Sequence, residues 1–86
     1  MNIEELLKKL DRQYEKHSDN SYTVALNDSD DFARTYTLLD NLEDSFVTVQ
    51  IVDDKTTCKF IYNDYELNLV GDLKNDEYVL TIEELK

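Results

Sequence analysis

His17 and Cys58 are the side chains best equipped by type for nucleophilic or general-base chemistry, and each is the single residue of its kind in the chain. A Cys–His pair would need the imidazole within hydrogen-bond reach of the thiol and a third group to orient it. Nothing flanking either residue supports that arrangement. Cys58 alternates with Phe60 and Tyr62, which reads as a small buried hydrophobe on a strand face. His17 closes a stretch with helical spacing, where an imidazole favours the terminal carbonyls. The run Asp28-Ser-Asp30 invites a calcium loop, but the Gly and Glu that such a loop requires fall on Ala33 and Leu39. No zinc ligand set is present, and a lone glycine, Gly71, does not make a phosphate-cradling loop. With 20 carboxylates some pairs must lie close, so pairing alone nominates no general acid and base. The expectation is therefore a protein that is not an enzyme, with no catalytic residue, metal or cofactor.

The carboxylates matter as a set. Asp and Glu number 20 against 9 Lys and Arg in 86 residues, for a net charge of −11. The excess is segregated: residues 1–17 hold 4 acids and 4 bases, whereas residues 18–86 hold 16 acids and 5 bases. Solubility alone would explain a high charge but not its confinement to one part of the chain. Direct nucleic-acid binding is disfavoured by the shortage of cations to neutralise phosphates, and an anionic membrane surface by the same shortage. The partner expected from this balance is a protein with a basic groove.

The elements that would position these acids follow from periodicity and turn chemistry. Residues 2–17 are expected to form a helix, capped by Asn2 with Glu5 in a capping box, with Ile3, Leu6, Leu7, Leu10, Tyr14 and His17 along one face. Residues 22–26 alternate as a strand. Residues 46–52, 56–62, 65–70 and 78–82 are rich in β-branched and aromatic residues and are broken by Asp, Asn and Gly, the pattern of a β-meander. Residues 32–42 fit two readings. As a helix, Phe32, Tyr36, Leu39 and Leu42 share a face with Asp30 or Asp31 as cap; as a strand, Thr35, Tyr36 and Thr37 fit a sheet, and the strand is favoured. The fold class expected is α+β, an N-terminal helix packed on an antiparallel β-meander of five to six strands over residues 21–83, in a single domain spanning 1–86. The expected core face carries Val47, Val49, Ile51, Cys58, Phe60, Tyr62, Tyr65, Leu67, Leu69, Tyr78, Leu80 and Ile82. Phe46, Ile61 and Val70 on the other face could serve a dimer contact, so a monomer or weak dimer is expected. No apolar run is long enough to span a bilayer, the N-terminus lacks a signal-peptide pattern, and one unpaired cysteine suits a reducing cytoplasm.

In a six-strand meander the turns alternate between two ends. One end would gather Asp28, Asp30, Asp31, Asp53, Asp54, Asp72, Asp76 and Glu77 against Lys55 and Lys74. The other would carry Asp40, Glu43, Asp44, Asp64, Glu83 and Glu84. Alternate hairpins place turns about 10 Å apart along the rim, a pitch able to follow a groove shaped for a phosphate backbone. Tyr62, Tyr65 and Tyr78 would flank the acids as aromatic anchors.

These features resemble small acidic phage-encoded inhibitors of DNA-acting enzymes. Met1-Asn2-Ile3, the helical Leu6, Leu7 and Leu10, and Tyr22-Thr23-Val24 with Leu26 are similar in pattern to a type II-A anti-CRISPR family. That resemblance covers about a quarter of the chain and ends at Leu26. It implies an N-terminal helix, a short antiparallel sheet, further helices where this chain is instead β-rich, and an acidic surface that occupies the site where Cas9 reads the PAM duplex. The uracil-DNA glycosylase inhibitors are similar in size, acidity and sheet content, although their binding-strand motif is absent. The function expected is a DNA-mimic inhibitor of a nucleic-acid-binding enzyme such as Cas9. The alternative is an immunity, antitoxin or adaptor protein that binds a basic partner without copying DNA.

Overall fold

The computed structural model describes residues 3–42 and 46–85, with Phe46 described through its backbone. The elements run α1 (Ile3–Leu10), β1 (Tyr14–Ser18), β2 (Ser21–Leu26), α2 (Ser29–Asp40), β3 (Phe46–Val52), β4 (Lys55–Tyr62), β5 (Tyr65–Asp72) and β6 (Glu77–Glu84). The strands form one six-stranded antiparallel sheet in the order β1-β2-β6-β5-β4-β3. The architecture is α+β with the expected meander, β3 to β6. A β1–β2 hairpin joins it through β2 alongside β6.

Two elements differ from the sequence expectation. The N-terminal helix stops at Leu10 rather than continuing to His17. Asp11 adopts φ 50°, its amide donating to the Lys8 carbonyl, and this left-handed residue ends the helix. Residues 14–18 then turn back as an edge strand, with Tyr14 opposite Val24 and Glu15 opposite Thr23. His17 consequently sits on a strand, its Nε2 2.8 Å from Thr23 Oγ1, and not at a helix terminus. The expected Asn2 cap and the acids Glu43 and Asp44 lie outside the described residues.

The second difference is α2, which occupies the stretch favoured as a strand. Asp28 is its N-cap and accepts from the Asp31 amide at 2.9 Å. Thr35 and Thr37, the strand-like residues, bond back to the carbonyls of Asp31 and Ala33 at 2.8 and 3.0 Å, so their hydroxyls are satisfied inside the helix. The sixth strand of the sheet is β1 instead.

The core lies between one sheet face and the helices. Leu6, Leu7 and Leu10 of α1 and Leu39 of α2 cover Tyr22, Val24, Leu26, Cys58, Phe60, Leu67, Leu69, Tyr78, Leu80 and Ile82. Phe32 and Tyr36 dock α2 through ring contacts to Tyr78 at 5.9 Å and Phe60 at 5.6 Å. Gly71 lets α2 come this close, because a Cβ there would lie 2.9 Å from Phe32 Cε2 and 3.2 Å from Tyr78 Cδ1. Burial raises the Cys58 thiol above its ordinary pKa, as expected of a core cysteine and unlike an activated one.

The helix layer does not reach β3. Val49 is opposite Cys58 and Ile51 opposite Thr56, so both point to the helix-covered side, yet they are 48% and 69% exposed. Their expected place in the core is corrected: the sheet is wider than the two helices that cover it. The opposite face of the sheet carries no helix among the described residues. It mixes half-buried Ile61, Val70 and Val79 with Lys59, Glu66, Asn68 and Thr81.

Candidate functional site: the acidic rim

Strand pairing sets which turns share an end. Leu26 pairs with Tyr78, Asp72 with Glu77, and Lys55 with both Asp72 and Val52. The 27–28 connection, the 53–54 loop and the 73–76 turn therefore lie at one end of the sheet, even though residues 29–40 are helical. The rim is joined by backbone, since the Leu73 amide donates to the Asp54 carbonyl at 3.0 Å. Asp53 and Asp76 hold φ of 54° and 52°. Asp and Asn tolerate this left-handed conformation better than most residues with a Cβ, and the two-residue 53–54 loop requires it at its first position, Asp53.

The eight acids expected at this end divide by role. Asp30, Asp53, Asp54, Asp76 and Glu77 are exposed, as is Asp28 apart from its capping bond. Asp72 is half-buried and braces the turn, accepting from the Asn75 amide at 3.2 Å and side chain at 2.9 Å. Asp31 is the exception: it is buried, pairs with the Arg12 guanidinium and accepts from the Asn27 amide at 3.0 Å. This carboxylate ties the end of α1 to the start of α2 and is withdrawn from any partner.

The aromatic anchors are also corrected. Tyr78 is buried, its ring packed on Phe32. Burial, and then Asp76, raise its phenol pKa, with Asp28 and Asp72 adding to the effect; its ring is sealed in the core while its electrostatic surroundings are those of the rim. Tyr65 is half-buried at the opposite end, opposite Tyr62 and Glu84. Burial and the Glu84 charge raise its phenol pKa. Neither tyrosine is available to a partner at the rim. The opposite end carries Asp19, Asp40, Asp64, Glu83 and Glu84 among the described residues, fewer than the rim, with the Glu84 amide donating to the Asn20 carbonyl at 2.9 Å and the Leu85 amide to the Asp64 carbonyl at 2.6 Å.

Sequence reasoning missed one feature, an open groove of about 810 Å³ lined by Lys9 of α1, by Ala33, Arg34, Thr37 and Leu38 of α2, and by Asn41, Leu42 and Tyr62. It exists because residues 29–40 are a helix, so a strand assignment hides it. The periodicity of Phe32, Tyr36 and Leu39 was the available signal. Among the described residues no group of three or more His, Cys, Asp or Glu side chains is placed to hold a metal ion, and no helix is long and apolar enough to cross a membrane.

Two of the rim acids carry a pH dependence. The Arg12 hydrogen bond, then the Asn27 amide, hold the Asp31 carboxyl below its ordinary 3.8, and the Asn75 side chain and amide do the same for Asp72. A lowered native value means that the unfolded chain takes up the proton first on acidification. The stabilisation is therefore complete above the unfolded value and is lost as pH falls through the native one. Thermal melts should show the melting temperature dropping below about pH 4. Asp31→Asn should melt lower than the parent at neutral pH and lose less on acidification; parallel pH curves for the two proteins would reject the assignment.

No protein-family model, curated protein or solved structure matches the chain. What fold and site define is a class: a small α+β protein with two helices on one face of an antiparallel sheet and an acidic rim at one end.

Proposed function

We propose that the protein is a stoichiometric inhibitor that presents its acidic rim to the nucleic-acid groove of a DNA-acting enzyme, with Cas9 as the leading candidate partner. The observation carrying this reading is the convergence of three acid-bearing connections on one end of the sheet, in a chain of net charge −11. Exposed carboxylates on braced turns are already in place, which lowers the ordering cost of binding. Their field speeds encounter with a basic groove in a salt-sensitive way. The choice of Cas9 rests on the N-terminal resemblance. Asp28 and Asp30 also favour the α2 N-terminus, so the strongest contribution comes from Asp53, Asp54, Asp76 and Glu77.

The test is pulldown of the Cas9–guide complex by the protein, with and without target DNA, across a salt series. The reading expects capture that weakens with salt and is displaced by target DNA. Capture indifferent to both would eliminate the mimic. Salt-sensitive capture that DNA does not displace would favour the immunity, antitoxin or adaptor reading.

A further inference from the structure

The two edges of the sheet are built differently. β1 has five residues, Tyr14-Glu-Lys-His-Ser18, carries charge and has an irregular register between Lys16 and Ser18. Short length, charge and irregularity are the devices that stop an edge from recruiting another strand. β3 has none of them. It is seven residues long, Phe46-Val-Thr-Val-Gln-Ile-Val52, without a charged residue or proline, and pairs with β4 in unbroken register. Val49, Ile51 and Val52 along it are 48%, 69% and 55% exposed. Its outer side has no neighbouring strand among the described residues, leaving backbone donors and acceptors facing outward.

We propose that β3 is a self-association edge, at which two copies of the chain pair their β3 strands antiparallel about a two-fold axis through Val49. The sequence of the strand is its own complement under that operation. Val49 meets its equivalent, Val47 meets the second copy's Ile51, and Thr48 meets the second copy's Gln50, so apolar faces apolar and polar faces polar. A two-fold contact requires this self-complementarity. Pairing also continues an existing row: Val24, Leu80, Leu69, Cys58 and Val49 lie side by side across the sheet. The row would run on through the second copy's Val49, covering the apolar side chains that the helix layer leaves open. A net charge of −11 on each copy opposes association. However, the antiparallel arrangement puts the two Asp53-Asp54 loops about 30 Å apart, beyond the screening length of about 8 Å. This inference does not depend on the proposed function.

Sedimentation velocity of the full chain over a concentration series tests it. The expected result is a shift from 10.1 kDa toward twice that mass, strengthened by salt, since salt screens the repulsion between copies. This is the opposite sign to capture of a basic partner. Val49→Lys places two like charges at the axis and should weaken the dimer at least about tenfold, with circular dichroism unchanged because the site is half exposed; Ile51→Lys is the second variant should the first fail to fold. Cross-linking reads the register. In a Cys58→Ala background, needed because Cys58 lies opposite Val49, Val49→Cys should form a disulfide between copies. Thr48→Cys should not, as the two Thr48 Cα atoms would lie about 8 Å apart, outside disulfide reach. A monomer at every concentration and salt, a dimer untouched by the lysine variants, or equal cross-linking at Thr48 and Val49 would each overturn the proposal.

Discussion

Under the inhibitor role proposed above, changing Asp53, Asp54, Asp76 and Glu77 together to Asn or Gln should weaken capture of the Cas9–guide complex on the order of 100-fold at physiological salt. Each exposed acid that faces a Lys or Arg in a basic groove contributes about a factor of three, and four independent pairs multiply to that figure. The loss should appear in the association rate as well as the dissociation rate, because these charges steer encounter before they touch. The slope of affinity against salt should flatten in the same variant. The decisive control keeps the charge change and moves it. Asp40→Asn, Asp64→Asn, Glu83→Gln and Glu84→Gln at the opposite end also reduce the net charge from −11 by four, so a mechanism that counted only charge would treat the two quadruple variants alike. A rim mechanism predicts a few-fold effect for the control. Equal losses in surface-immobilised binding measurements would remove the rim as the site.

The rim was legible in the sequence through its turns and illegible through its connections. Asp53-Asp54, Asn63-Asp64 and the 71–77 stretch announce breaks between β-rich runs because Asp, Asn and Gly suit turn backbones, and the four strands of the meander fall where those breaks require. Whether 27–31 joins them depends on a pairing between residues far apart in the chain, Leu26 with Tyr78. Local pattern carries no such information. A strand at 32–39 would have brought the same acids to the same end by alternation; the helix does so because β2 lies against β6. Asp31 looked like its neighbours because nothing local reveals that Arg12, 19 residues away, will bury it.

The two misread elements have separate physical causes. Leu10 and Tyr14 are four apart, a spacing that a helix and a helix-then-strand both permit, and the helix ends on the backbone conformation of Asp11. In α2, the weak helix propensity of Thr35, Tyr36 and Thr37 is overridden by the cap at Asp28, the acids of the first turn and the burial of Leu39. The exposure of Val49 and Ile51 is a matter of coverage. Alternation assigns them correctly to the helix side of the sheet, but it does not say how far the helices extend.

Phe60→Ala should be the most damaging single change in the chain. Phe60 is fully buried, lies between Val47 and Leu67 on adjacent strands, and meets the Tyr36 ring edge-on at 5.6 Å and 65°. Truncation removes that contact and opens a cavity walled by strands that cannot collapse inward, at a cost of about 3–5 kcal/mol. A domain of this size holds about 4–13 kcal/mol at the usual 0.05–0.15 per residue, so the loss takes roughly a quarter or more of the total and the urea midpoint should fall in proportion. Phe60→Leu keeps most of the volume and should cost less than half as much. Urea unfolding followed by far-UV circular dichroism provides the comparison, and a cycle with Tyr36→Ala isolates the ring pair. Coupling of about 0.5–1.5 kcal/mol between the two positions is expected if this contact docks α2 on β4. Additive losses would mean that α2 is held chiefly by Phe32 against Tyr78 and Gly71, and that the Tyr36 ring packs beside Phe60 without bearing on it.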